Sequence, residues 1–210
     1  MKYILSIDGG GIRGLIPAVV LAEIEDRAGD RIANLFDLIA GTSTGGILAL
    51  GLTLPKTGSG DGEAGNGGPR YSADELADLY RKRGSDIFQR SIARKVASGF
   101  NLTDEKYPAD GLEDVLEEYF GDEPVGAALT DVVVSSYDLQ NREPYFFKNW
   151  QETDENVLMR EAARATSAAP TYFEPAQVTL EDGTRTLVDG GIYVNNPAVS
   201  AFAEARRQFG

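Results

Sequence analysis

Apolar positions along this chain come in short runs that break on glycine, and the runs switch between two periods. Tyr3 to Ile7 (YILSI) is rich in apolar and β-branched residues and ends in Asp8 and three glycines, as a buried strand entering a tight loop does. Leu15, Val19 and Ala22 then recur at helical spacing. Pro17 suits a first turn, where its missing N–H is not needed, so a helix is expected from about Leu15 to Gly29. The same order follows at once, with Leu35 to Ala40 (LFDLIA) as a strand, GTSTGG as a loop and ILALGL as a helix. Two such units in succession predict an α/β fold with a mostly parallel central sheet.

Two later helices are marked by capping boxes, Ser72 with Glu75 and Asp110 with Glu113. Asp131 to Ser136 and Pro144 to Phe147 read as strands and Asp154 to Ala165 as a helix. Arg185 to Val188 reads as a last strand delivering Asp189-Gly190-Gly191. Between Lys56 and Arg70, six of fifteen residues are glycine and Ala64 is the one aliphatic side chain, so a mobile surface loop is expected. No repeat of fixed period is present. A length of 210 residues with 42% apolar content predicts one globular domain over 1–210.

Composition narrows the chemistry. The chain has no cysteine and no histidine, which removes disulfides, thiolate and imidazole metal ligands, and every histidine-based triad. Any proton-accepting base must be Asp, Glu or Lys. With 20 basic and 33 acidic residues the formal net charge is -13, which argues against nucleic acid as a partner. Only five residues separate Lys2 from Asp8, too few for the apolar core of a secretory signal, and a cytoplasmic location is the expectation. The uncharged run Leu38 to Leu54 is 17 residues with GTSTGG inside it and falls short of a membrane span. Residues 81–95 (RKRGSDIFQRSIARK) hold six basic residues and one acid, interleaved with Ile87, Phe88 and Ile92. That strip either meets anionic head groups in a transient membrane contact or is a solvated helix face. The acids between Asp104 and Glu123 lack calcium-loop spacing and read as a solvated face.

Gly41-Thr42-Ser43-Thr44-Gly45 fits G-x-S-x-G. The string alone is a weak signal; an apolar strand before it and an apolar helix after it supply the context of a strained turn that exposes a serine. An ordinary glycine-rich turn is the competing reading. Serine needs a base. Asp189, at a strand end before two glycines, is the best placed, although Asp-Gly turns are common for purely structural reasons. To serve, it must be partly desolvated, because a carboxylate near its ordinary pKa of ~3.9 is a feeble base. Gly9, Gly10 and Gly11 can present backbone N–H groups to a developing oxyanion, joined by the start of the helix after Ser43 and the N–H of Thr44. Arg13, just beyond, either holds the loop in shape or binds a phosphate. Gly9, Gly11 and Gly14 also fit G-x-G-x-x-G, with Asp37 as a candidate ribose contact, so a non-enzymatic nucleotide-binding module is the alternative.

Four blocks occur together in order: DGGGIRG at 8–14, GTSTGG at 41–46, ATSAAPTYFEP at 165–175, and DGG at 189–191 followed by NNP. In these the chain resembles the patatin-like phospholipases, and GLEDVLEEYFG and YDLQNREPYFFK extend the resemblance over nearly the whole length. The resemblance implies a three-layer patatin-like fold. It makes Ser43 the nucleophile, Asp189 the base of a Ser-Asp dyad, and Gly9 to Gly11 the oxyanion hole with Arg13 beside it. It further implies hydrolysis of fatty-acyl esters from phospholipids and lysophospholipids, a role in lipid catabolism, and chemistry needing neither metal nor cofactor. Against the family's pattern the chain stops early, at Gly210, so outer helices and edge strands are expected to be missing.

Overall fold

A computed structural model gives the arrangement of residues 1–56, 67–84 and 110–210, with only the backbone of Asp110. Six strands form one sheet: β1 (Ile4–Ile7), β2 (Leu38–Thr42), β3 (Asp131–Asp138), β4 (Glu143–Lys148), β5 (Ala176–Leu180) and β6 (Gly183–Asp189). β1, β2 and β3 are the parallel centre, and β4, β6 and β5 extend it antiparallel. Every residue of β2 is buried, because both faces of the sheet are covered. Ile39, Val132 and Val134 face a large apolar cluster built with the helices α1 (Leu15–Ala28), α3 (Thr44–Thr53), α4 (Ala73–Gly84), α5 (Asp110–Phe120) and α7 (Met159–Thr166). Leu38, Ala40 and Val133 face the other way, against Ala201 and Ala205 of α8 (Ala198–Phe209). The short helices α2 (Ile32–Leu35) and α6 (Glu152–Glu155) complete the α-helices among the described residues. The result is the helix-sheet-helix layering expected from the alternating strand and helix runs.

Local signals account for most boundaries. Ser72 accepts the Glu75 N–H at 3.2 Å and the Glu75 carboxylate accepts the Ser72 N–H at 2.8 Å, so the first capping box starts α4 as expected. In the second, the Asp110 side chain lies outside the described residues, and Glu113 accepts from Arg164 Nε at 2.9 Å. One cap was not legible. The buried carboxylate of Glu25 accepts the Ile32 N–H at 3.0 Å and the Ala73 N–H at 2.9 Å, so a single side chain of α1 closes the starts of α2 and α4. Glu25→Ala is therefore expected to cost about 3 kcal/mol, read from the urea midpoint at unchanged slope.

Two expectations shift. The run Leu35 to Ala40 divides: Leu35 closes α2, and the strand begins only at Leu38 and continues to Thr42. Asp37 causes the delay by turning outward, its carboxylate taking the Tyr3 N–H at 2.8 Å and the Lys2 ammonium at 2.7 Å. The run Asp154 to Ala165 is two helices, broken where the Val157 carbonyl accepts from Val125 N–H (2.7 Å) and the Met159 N–H donates to Glu123 (2.8 Å). β5 was unread, since AQVTL offers only Ala176, Val178 and Leu180 as its buried alternation. Of the glycine-rich segment 56–70, residues 57–66 lie outside the described residues; its ends are tied together by Arg70 N–H to Leu54 O (2.7 Å) and Lys56 N–H to Gly68 O (3.3 Å). Of the cationic strip, residues 85–95 lie outside them too, and Arg81, Lys82 and Arg83 are paired with Asp74, Asp78 and Glu118. Among the described residues no helix is long and apolar enough to cross a membrane.

Candidate active site

The sheet brings Ser43 and Asp189 together by an end-to-end meeting of two strands. One edge of β3 carries β2 along Asp131–Ser135 and then β6 along Ser136–Asp138, while the opposite edge carries β4. Thr42 pairs with Ser135 and Asp189 with Ser136, so β2 and β6 run toward each other and stop at adjacent positions of the same strand. Ser43 leaves the tip of one and Asp189 is the tip of the other.

Ser43 stands at φ 55° and ψ -124°, a conformation costly for a residue with a Cβ, by about 1–3 kcal/mol. It is held there by crowding on both sides. A Cβ on Gly41 would lie 2.1 Å from the Gly45 carbonyl oxygen, and one on Gly45 would lie 2.2 Å from that of Ile7, so only glycine lets the first turn of α3 rest on β1 and β2. Every residue of α3 is buried, which aims its N-terminal end at the serine from inside the molecule. Ser43 is the N-cap of α3, yet its hydroxyl caps nothing and stays available. Its N–H donates to Thr166 Oγ1 at 2.8 Å. The next residue is gripped by the buried Tyr80, which accepts from Thr44 Oγ1 at 2.5 Å and donates to the Thr44 carbonyl at 3.1 Å.

Asp189 is 3% exposed. Its carboxylate accepts the Gly191 N–H at 2.7 Å, and its own N–H donates to Ala168 O at 3.1 Å. Burial pushes its pKa above the ordinary carboxylate value, with the Ser43 hydroxyl and the Gly191 N–H pulling the other way. A carboxylate whose pKa is raised by burial is a stronger proton acceptor than a solvated aspartate.

Among the described residues, the N–H groups of Gly10, Gly11 and Thr44 have no protein acceptor. Gly9 is a correction: its N–H donates to the Asn195 carbonyl at 2.9 Å, so it anchors the loop instead of contributing a donor. The same segment accepts from Thr42 Oγ1 through Val194 O at 2.8 Å, which gives the NNP stretch a role in holding the loop to β2. Arg13 lies back over the loop, Nε donating to Gly10 O at 3.3 Å. Asp37 does not fit a ribose contact. It precedes β2 instead of ending it and is engaged by Lys2 and Tyr3, whereas a ribose-binding acid belongs at the C-terminal end of its strand. Beside Ser43 and Asp189 opens a cavity of about 420 Å³ whose walls include Ile12, Ile47, Leu112, Pro170, Phe173 and Ile192. Thr166 and Tyr80 were not singled out from the sequence. Thr166 lies inside the ATSAAP block, whose composition announces no contact, and Tyr80 is an aromatic at ordinary core spacing.

One strand of the α/β sheet ends on a strained serine, the strand meeting it ends on a buried carboxyl group, and the adjoining cavity has apolar walls. The chain belongs to the patatin-like phospholipase family, whose model matches residues 5–202. It is 37% identical over 225 aligned positions to Patatin-like protein 2 of Oryza sativa subsp. indica, covering 99% of this chain and 53% of that one. Patatin-like protein 2 of Arabidopsis thaliana is 35% identical, with 98% and 53% covered. A third relative, at 34% identity with 99% and 55% covered, is described as a probable inactive patatin-3-Kuras 1 of Solanum tuberosum. This chain thus spans about half the length of these relatives. Among solved structures, VipD from Legionella pneumophila aligns with a TM-score of 0.45 and 16% identity over 91% of this chain and 46% of that one.

Proposed function

We propose that the protein is a lipid acyl hydrolase that cleaves fatty-acyl esters of phospholipids or lysophospholipids through Ser43 and Asp189. Family membership by itself does not carry activity, as the relative described as inactive makes plain. The observation that carries the reading is a serine held in a strained turn beside a desolvated carboxyl group at the mouth of an apolar cavity. Ser43 Oγ attacks the ester carbonyl carbon as Asp189 takes its proton, and the N–H groups of Gly10, Gly11 and Thr44 receive the oxyanion. Collapse expels the alcohol, which recovers the proton from Asp189 and leaves the acyl group on Ser43. A water, its proton passing to Asp189, then attacks the acyl-enzyme, and the fatty acid departs as Ser43 is reprotonated. Ile47 and Phe173 line the space for the acyl chain, and Arg13 keeps the glycine loop in shape.

A serine-directed fluorophosphonate tests this directly. It should modify Ser43 stoichiometrically, as located by peptide mass mapping, and the same preparation should release fatty acid from at least one member of a panel of phospholipids, lysophospholipids and soluble esters. Absence of both modification and release would end the reading. The pH profile is a second test. Asp189 must be ionised to accept a proton, and burial raises its pKa, so kcat/KM should rise with pH along an acid limb centred above the ~3.9 of an ordinary aspartate. A limb at or below that value would contradict the role.

A further inference from the structure

We infer that Thr166 is a positioning residue for the nucleophile: its hydroxyl holds the Ser43 backbone in the strained turn and so sets where Oγ stands relative to Asp189. The inference rests on the Ser43 and Asp189 reading above. Thr166, the last residue of α7, is completely buried, and it lies 123 residues from Ser43 in the chain. Its Oγ1 accepts the Ser43 N–H at 2.8 Å and donates to the Ser135 carbonyl at 2.6 Å, so its one proton and one of its lone pairs are both committed and its rotor is fixed. Ser135 is the β3 residue opposite Thr42, at the junction where β2 and β6 meet. Two residues further on, Ala168 O accepts the Asp189 N–H at 3.1 Å. The stretch 166–168 therefore holds the backbone of both members of the pair, one through a side chain and one through a carbonyl.

A residue at φ 55° has every reason to relax, and among the described residues the Ser43 N–H has no other acceptor. Valine keeps the shape of threonine but cannot accept that N–H, nor donate to Ser135. Thr166 is not among the residues lining the cavity, so its loss should leave substrate binding largely intact and act on the chemical step.

Thr166→Val is expected to lower kcat and the rate of fluorophosphonate labelling of Ser43 roughly ten- to a hundredfold, the scale of a small misplacement of reacting atoms, with KM changed less than about twofold. Thr166→Ser, which keeps the hydroxyl, should stay within about threefold of wild type. The wild-type protein supplies an independent readout: the Ser43 amide should exchange its hydrogen at least about a hundredfold more slowly than an unprotected amide. Labelling of Thr166→Val at the wild-type rate would overturn the inference while leaving the Ser43 and Asp189 reading intact. So would a fall of more than about tenfold in Thr166→Ser, or an unprotected Ser43 amide; these two hold even if Thr166→Val does not fold. Failure of the wild-type protein to label at Ser43 would defeat both readings together.

Discussion

Replacing Ser43 with alanine or Asp189 with asparagine is expected to lower acyl-ester hydrolysis by at least about a thousandfold, while the two variants diverge in stability. In the proposed mechanism, loss of Ser43 removes the attacking atom, and the asparagine variant keeps the shape of Asp189 but can no longer accept a proton. Stability separates the roles because Asp189 is buried at a cost. Its pKa is raised in the folded state, so between ~3.9 and that raised value the folded chain holds a proton the unfolded chain has released. Stability therefore declines as pH rises through this window and stays lower above it. An asparagine at 189 escapes the decline and still accepts the Gly191 N–H, so Asp189→Asn should melt at or above the wild-type temperature at pH 7. Ser43→Ala withdraws a donor from the carboxylate and should melt slightly lower. The comparison needs only calorimetry of the two variants beside their labelling rates. An Asp189→Asn variant that remains active, or that melts well below wild type, would show the carboxyl group to be a structural element and not a base.

Gly41→Ala should have the second large effect, on folding. Its methyl group would sit 2.1 Å from the Gly45 oxygen, 2.3 Å from the Gly45 carbonyl carbon and 2.5 Å from the Gly46 nitrogen, all backbone atoms of the first turn of α3. Nothing there can swing aside. β2 is hydrogen-bonded between β1 and β3, and α3 is buried over its whole length. Relief requires moving the helix off the sheet, at a cost of about 4 kcal/mol, against a total stability of ~5–15 kcal/mol for an ordinary fold. Gly68→Ala, where nothing lies within 4 Å of the added carbon, is the control and should stay within about 0.5 kcal/mol of wild type. Urea unfolding of both variants gives the comparison, and near-equal midpoints would mean that close approach is not what the glycine at 41 provides.

What could be read along the chain, and what could not, follows the range of the forces. α1, α3 and α4 were legible because apolar spacing, a glycine stop or a cap such as Ser72 with Glu75 acts within a few residues. The misread boundaries are those decided elsewhere in the molecule. Leu35 belongs to a helix because Glu25 caps Ile32, and the break near Val157 follows hydrogen bonds to Val125 and Glu123. The candidate site shows the same division. Ser43, Asp189 and the glycine loop stood out as residue types, whereas the engagement of the Gly9 N–H by Asn195 and the grip of Thr166 and Tyr80 on the elbow come from distant segments that carry no local mark.

The residue inventory alone determined that any base for a serine had to be a carboxylate or a lysine, and that a strand, a glycine turn and an apolar helix would present Ser43. These are matters of composition and of contacts between near neighbours. Only the tertiary structure decided that β2 and β6 end against consecutive residues of β3, that Asp189 is shut away from water, and that Gly9 is a tether while Gly10 and Gly11 keep their N–H groups unengaged by the described protein. Strand register and desolvation depend on the packing of the whole sheet, and no short window of sequence contains them.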